Sequence, residues 1–184
     1  DTLSRWLEDA RAVLRDDALA RAAQPVVPQI LVGISEGAEL LAKLAEDVPH
    51  LAGLVLLSGS GLDPWEAGEM QAHRQGQLKA WQDLAVVQSS NTPDRTLVEG
   101  RSLQYWRDLW AWRQSDELIA SRWPILRVWG GADALVPQRA YETFTQRTKA
   151  RSAPICSRSI PGADHGLQAP ARDGVQLLWA WLEN

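Results

Sequence analysis

Three residues of this sequence are of the right types to do nucleophilic chemistry together: Ser35, Asp133 and His165. Ser35 lies in Gly33-Ile34-Ser35-Glu36-Gly37, which fits G-x-S-x-G. Asp133 lies in Gly130-Gly131-Ala132-Asp133-Ala134-Leu135-Val136-Pro137, and His165 in Pro161-Gly162-Ala163-Asp164-His165-Gly166. A serine hydroxyl is a poor nucleophile at neutral pH. It needs a base to take its proton, and the base needs a carboxylate to fix its tautomer. Of the three histidines, His50 falls in a short link between helix and strand and His73 in a polar helical stretch. His165 lies in a loop just past an expected fourth strand, Pro154–Ile160, which Ser157, Arg158 and Ser159 interrupt. For the acid, Asp133 just past the expected third strand is the candidate, and Asp164 competes for the role although its adjacency to His165 makes a side-chain bond to that ring awkward.

These residues need a frame that brings them together. Ile30–Ile34 is a short apolar run, as a buried parallel strand should be. G-x-S-x-G after such a run reads as a strand-to-helix turn that lifts its serine clear of the backbone. The strain of that turn calls for small residues two before and two after the serine, here Gly33 and Gly37. A helix is expected next, over Ala38–Glu46. Further strands are expected at Leu51–Leu57, Pro124–Trp129 and Pro154–Ile160. Thr2 to Leu19 reads as an amphipathic helix presenting Leu3, Trp6, Leu7, Ala10 and Leu14 on one face. Val136–Thr148 reads as another, with Pro137 suited to its first turn. Ala171–Leu182 reads as a last helix with Val175, Leu178, Trp179 and Leu182 on one face. Strands alternating with helices make an α/β fold, a parallel sheet with helices on both faces. Ser35, Asp133 and His165 each follow a strand, and open parallel sheets present their ligand groups at the carboxyl ends of strands.

The segment from Leu62 to Arg122 differs from the rest. It is polar, rich in Gln and Trp, and reads as two or three helices with a break at Ser89–Asp94. It holds Trp65, Trp81, Trp106, Trp110 and Trp112, half of the chain's ten tryptophans. Leu103, Trp106 and Trp110 share one helical stripe, while Leu109 and Trp112 lie off it. A helix apolar on two faces is covered on two faces, either by protein packing on both or by the core below and a substrate cleft above. Trp65, Trp106 and Trp110 are therefore candidate pocket residues for an apolar acyl or aromatic group.

Composition narrows the partners. At 184 residues, with 45% hydrophobic and 23% charged residues, the chain is long enough for one domain with a sizeable core. A net charge of −4 points to neither nucleic acid nor an anionic membrane. No apolar run approaches the roughly 18 residues of a spanning helix. The lone cysteine, Cys156, excludes an internal disulfide and suits a reducing cytoplasm. No metal or organic cofactor is implied.

The combination of GISEG at 33–37, GGADALVP at 130–137 and PGADHG at 161–166, each after its own strand and in the order Ser…Asp…His, resembles the α/β-hydrolase family. The resemblance runs over residues 1–184, with 62–122 as a helical cap insert. It implies Ser35 as nucleophile, Asp133 as acid and His165 as base. It also implies the backbone N–H of Glu36 as one oxyanion donor. The activity implied is that of an esterase or aminopeptidase-like serine hydrolase, acting on a small-molecule carboxylic ester, thioester or amide through an acyl-serine. An acyltransferase with the same triad is an alternative, and so is a non-catalytic binding protein on a hydrolase remnant. The family's first strands and its HG-type oxyanion loop have no counterpart ahead of Gly33. A fold truncated at its N-terminus is therefore expected, the C-terminal part of a protein about 80–110 residues longer. The apolar strand Ile30–Ile34 would then be an open edge for the missing segment or a second chain to cover.

Overall fold

The computed structural model describes residues 2–170 and 172–182. Helix α1 (Leu3–Arg21) starts at Thr2, whose hydroxyl accepts the Arg5 N–H at 3.1 Å. Strand β1 (Gln29–Ile34) leads into a tight helical turn, 3₁₀ over Ser35–Leu40 and then α2 (Leu41–Leu44). Strand β2 (Leu51–Leu57) follows. Helices α3 (Pro64–Arg74) and α4 (Leu78–Gln88) come next, then a two-residue hairpin of β3 (Leu97–Val98) and β4 (Arg101–Ser102). Helices α5 (Leu103–Ala111) and α6 (Ser115–Ala120) complete the segment. The chain continues through β5 (Ile125–Gly130), α7 (Gln138–Arg147) and β6 (Ile155–Ile160). A second hairpin, β7 (Gln168–Ala169) with β8 (Arg172–Asp173), precedes α8 (Gly174–Leu182).

The four long strands form one sheet in the order β1-β2-β5-β6, every pair parallel. Alternation along β2 divides the core. Leu54 and Leu56 pack with Leu41, Leu118, Ala140 and Phe144 on one face. Val55 and Leu57 pack with Val128, Ile160, Leu167 and Leu177 on the other. Each such side chain contributes roughly 1.5–3 kcal/mol by leaving water, and the central strands β2 and β5 are the buried part of the sheet. The apolar stripe of α1 packs as its spacing predicts, with Leu3 and Leu7 on Leu40, Leu44 and Trp112. At the open edge, Ile30, Val32 and Ile34 of β1 stand 46%, 46% and 50% exposed. Among the described residues, no helix is long and apolar enough to cross a membrane.

Several boundaries differ from expectation, each for a reason outside the local sequence. The helix after the turn starts at Ser35 as a 3₁₀ coil, and its α-helical part is only Leu41–Leu44. The segment between β2 and β5 holds four helices, not two or three. The extra boundary arises because Asp63 Oδ1 accepts the N–H groups of Gln114 (2.9 Å) and Ser115 (3.0 Å), starting α6 from a distance. Helix α7 starts at Gln138, with Pro137 as its extended cap. The last helix starts at Gly174; Ala171 and the side chains of Val175, Leu178 and Leu182 lie outside the described residues, and Trp179 is 57% exposed.

Candidate active site

Ser35 leaves β1 with φ +52°, in the left-handed region that L residues adopt only where the surroundings hold them there. Gly33 makes the turn possible. A Cβ there would lie 2.5 Å from the Gly37 carbonyl oxygen and 2.8 Å from the Ala38 Cα. Gly37 has no such duty, since a Cβ on it would meet nothing within 4 Å. The expectation of an obligatory small residue on both sides thus holds for Gly33 and not, on space alone, for Gly37.

The loops after β5 and β6 are stitched together. Gly131 N–H donates to the Ile160 carbonyl and Ala132 N–H to the Ala163 carbonyl, both at 2.8 Å. At Gly130 the chains approach so closely that a Cβ would sit 2.1 Å from the Asp164 carbonyl oxygen. Ser58, at the end of β2, donates its hydroxyl to the His165 carbonyl at 2.6 Å. These bonds fix the backbone on either side of His165. Asp164 turns away from the ring and accepts the Gln168 N–H at 2.9 Å.

Ser35, His165 and Asp133 form one chain of hydrogen bonds. The Ser35 hydroxyl donates to His165 Nε2 at 2.8 Å, and His165 Nδ1–H donates to Asp133 Oδ2 at 2.9 Å. The Asp133 side chain is 2% exposed. Its Oδ1 accepts the N–H groups of Leu135 (2.8 Å) and Val136 (2.9 Å). Its Oδ2 also accepts the Tyr141 hydroxyl at 3.1 Å. Asp133 is therefore both a turn-former and the partner of His165. In this arrangement His165 can accept a proton from Ser35 while Asp133 stabilises the imidazolium that forms.

Ser35 opens onto a cavity of about 240 Å³ that Glu36, Glu39, Ser58, Gln71 and the Leu135–Pro137 turn also line. Trp65, Trp106 and Trp110 are not part of its wall. Trp110 stacks on Trp81 at 4.6 Å, and Trp106 meets Trp81 edge-on at 6.3 Å while donating its indole N–H to the Val98 carbonyl at 2.9 Å. The indole nitrogen of Trp65 is buried without a hydrogen-bond partner. Helix α5 is covered on two faces as expected, but the outer cover is α4 and not a substrate cleft: Trp106 and Trp110 turn to Trp81, while Leu103, Tyr105 and Leu109 are buried. Among the residues of this segment that reach the serine turn are Tyr105, whose hydroxyl donates to Glu36 Oε1 at 2.7 Å, Arg101, which pairs with Glu36 at 3.9 Å, and Trp112, whose indole donates to the Glu39 carbonyl at 3.0 Å. Gln114 donates its amide to Glu39 Oε2. A larger hollow of about 470 Å³ lies toward the amino ends of β2, β5 and β6 and touches none of the three chemical residues. Among the described residues, no group of three or more His, Cys, Asp or Glu side chains is arranged to hold a metal ion.

Glu39 lines the cavity, and its carboxyl accepts the Gln114 amide. Burial first, then the charges of Glu36 and Asp63, raise its pKa well above the usual 4.5. A carboxyl whose folded pKa is raised contributes its full stability below the unfolded value and loses it as pH rises through the folded one. Glu39→Gln, neutral at every pH, is therefore expected to raise Tm at pH 8 and to leave little difference at pH 4. The gain should be about 2–4 °C for each kcal/mol of relieved cost. Melting curves of both proteins across that range test it, and an equal Tm at pH 8 would rule out a buried charge at Glu39.

No protein-family model matches the sequence, and no curated protein does. Solved structures do match. Est1E from Butyrivibrio proteoclasticus aligns with a TM-score of 0.65 at 22% identity, over 100% of this chain and 69% of that one. The α/β-hydrolase enzyme MGS-MChE2, from the metagenome of lagoon sediments of Mar Chica, aligns with a TM-score of 0.57 at 16% identity, over 96% of this chain and 69% of that one. The esterase domain of a Rhodothermus marinus protein aligns with a TM-score of 0.54 at 18% identity, over 95% of this chain and 66% of that one. Identities this low speak to architecture and not to chemistry. With the all-parallel β1-β2-β5-β6 sheet, they establish that this chain has the α/β-hydrolase fold.

Proposed function

We propose that the protein is a serine hydrolase that cleaves a carboxylic ester, thioester or small amide through an acyl-serine intermediate. The observation that carries this reading is the unbroken hydrogen-bond chain Ser35–His165–Asp133, at 2.8 and 2.9 Å. Ser35 Oγ attacks the carbonyl carbon as His165 Nε2 takes its proton. The backbone N–H of Glu36, the residue after the nucleophile, donates to the oxyanion. His165 then returns the proton to the departing alcohol, thiol or amine. Water enters on the same base and releases the acid. Helices α3–α6 act as a cap over the site, with Tyr105 and Gln114 tying it to Glu36 and Glu39. The lone cysteine is in keeping with a cytoplasmic setting.

A cavity of about 240 Å³ is smaller than the roughly 300–1,000 Å³ that holds drug-sized ligands. With the tryptophans turned away, it suits a short acyl group rather than an extended apolar one. A p-nitrophenyl ester panel should show acetate and propionate cleaved at least about tenfold faster than palmitate. The reverse order would restore a long apolar pocket. A fluorophosphonate probe tests the nucleophile directly, with the adduct expected at Ser35. A second reading, a binding protein on a hydrolase scaffold, draws on the exposed apolar edge of β1. Intact protein that takes up no probe at Ser35 would select it.

A further inference from the structure

Tyr141 on α7 takes no direct part in the chemistry above, yet its hydroxyl ends on the oxygen that matters most to it. Tyr141 Oη donates to Asp133 Oδ2 at 3.1 Å, the same atom that His165 Nδ1 uses at 2.9 Å. The other carboxylate oxygen is occupied by the two turn amides of Leu135 and Val136. Asp133 thus has four donors, and Tyr141 and His165 share one oxygen.

Tyr141 is held there firmly. It is 1% exposed, and its ring stacks on Trp129 at 4.6 Å and 10°. Arg127, fully buried, donates from Nη2 to the Tyr141 carbonyl at 3.2 Å and lies 4.7 Å from the Phe144 ring. Burial, and then the negative charge of Asp133, push the Tyr141 phenol well above its ordinary range. The phenol therefore remains a donor at any working pH. Burial lowers the Arg127 guanidinium to about 10, so it too keeps its charge at neutral pH.

We infer that Tyr141 is a positioning residue that sets how strongly Asp133 holds a protonated His165, by competing for the same carboxylate oxygen. The inference rests on the serine-hydrolase reading only where it concerns rates. A donated hydrogen bond draws negative charge from Asp133, so less remains to stabilise the imidazolium. Removing it should make His165 a stronger base.

Other charged groups face this cluster from each neighbouring element. They are Arg127 on β5, Arg74 on α3 (donating to the Asp133 carbonyl at 3.0 Å) and Glu39 on the serine turn, while Asp164, next to His165 in the chain, turns its carboxylate to the Gln168 N–H. All are present alike in both proteins compared, including Glu39 with its raised pKa, so a difference between their titration curves belongs to Tyr141.

The test compares the wild type with Tyr141→Phe by NMR titration of the His165 imidazole, assigned with His165→Ala, and by the pH dependence of fluorophosphonate acylation. Both curves are expected to move to higher pH in the variant, by about half a unit to one unit. A second arm uses the fact that the chain has only two tyrosines, Tyr105 and Tyr141. In a Tyr105→Phe background, fluorotyrosine incorporation alters Tyr141 alone. Fluorine makes the phenol a better donor, so the curves should move to lower pH. A purely structural Tyr141 would change Tm but could not shift the titration in opposite directions. Coincident His165 curves in all forms would overturn the inference. If Tyr141→Phe does not fold, the fluorotyrosine arm decides alone. If His165 shifts but no form takes up the probe, the hydrolase reading fails and the coupling stands. If the probe reacts and the curves coincide, only the role of Tyr141 fails.

Discussion

His165→Ala is expected to abolish probe labelling of Ser35 and to lower kcat/KM for p-nitrophenyl acetate by about 10⁴-fold or more. The size follows from the lack of a second histidine at the serine. His50 lies in the link before β2, where it borders a hollow with Pro49 and Gln29. His73 borders a different one, with Arg74 and Arg139. Neither lines the Ser35 cavity. Asp133 cannot act directly, because its two oxygens are taken by Leu135, Val136, Tyr141 and His165. Asp133→Asn should cost about as much, since an amide there no longer enforces the tautomer that leaves Nε2 free to accept. Labelling rates measured by mass spectrometry, with Tm as the control for folding, give the answer. Labelling that persists at Ser35 in His165→Ala would mean another group activates the serine.

The second large effect separates two glycines that look alike in sequence. Gly33→Ala is expected to cost about 2–4 kcal/mol of stability and at least about 10²-fold in rate through a misplaced nucleophile. The new methyl would strike the Gly37 carbonyl and the Ala38 backbone, and no rotamer change can relieve a clash with main chain. Either the turn opens, moving Ser35 from its φ of +52°, or the pairing of Gly33 with Leu56 breaks. Gly37→Ala meets open space within the helical turn. There alanine is the better helix former, and the change should be neutral or stabilising by about 0.5–1 kcal/mol. Urea unfolding of both variants, with ester turnover, measures the contrast. Equal losses at the two positions would mean that the turn is not shaped by the Gly33 contact.

The parts of this fold that could be read from sequence are those with short-range causes. The apolar runs of β2 and β5 announce buried strands, that of β1 announces a strand whose Ile30, Val32 and Ile34 stay half exposed, and the Leu3, Leu7 spacing of α1 names the face that packs on Leu40 and Leu44. Ser35, Asp133 and His165 were legible because each follows a strand, and a parallel sheet gathers those ends along one edge. What escaped depends on distant partners. Tyr141 reads as one more residue of the buried stripe Ala140, Tyr141, Phe144, and nothing in that spacing reveals its bond to Asp133. The start of α6 is set by Asp63, about fifty residues earlier in the chain. The tryptophans of α5 gave two apolar stripes, but which stripe faces the serine depends on where α4 places Trp81. The hollow beside Ser35 is lined instead by Glu39 and Gln71, polar residues that in sequence suggest only a solvated surface.

The stacked rings of Trp81 and Trp110, 4.6 Å apart and 28° from parallel, have an optical consequence. Indoles this close share their excited states, and such a pair gives a circular-dichroism couplet that an isolated indole does not. One ring belongs to α4 and the other to α5, so the couplet disappears when these helices separate, whatever the sheet is doing. The protein carries a label-free gauge of whether α4 and α5 stay packed on each other.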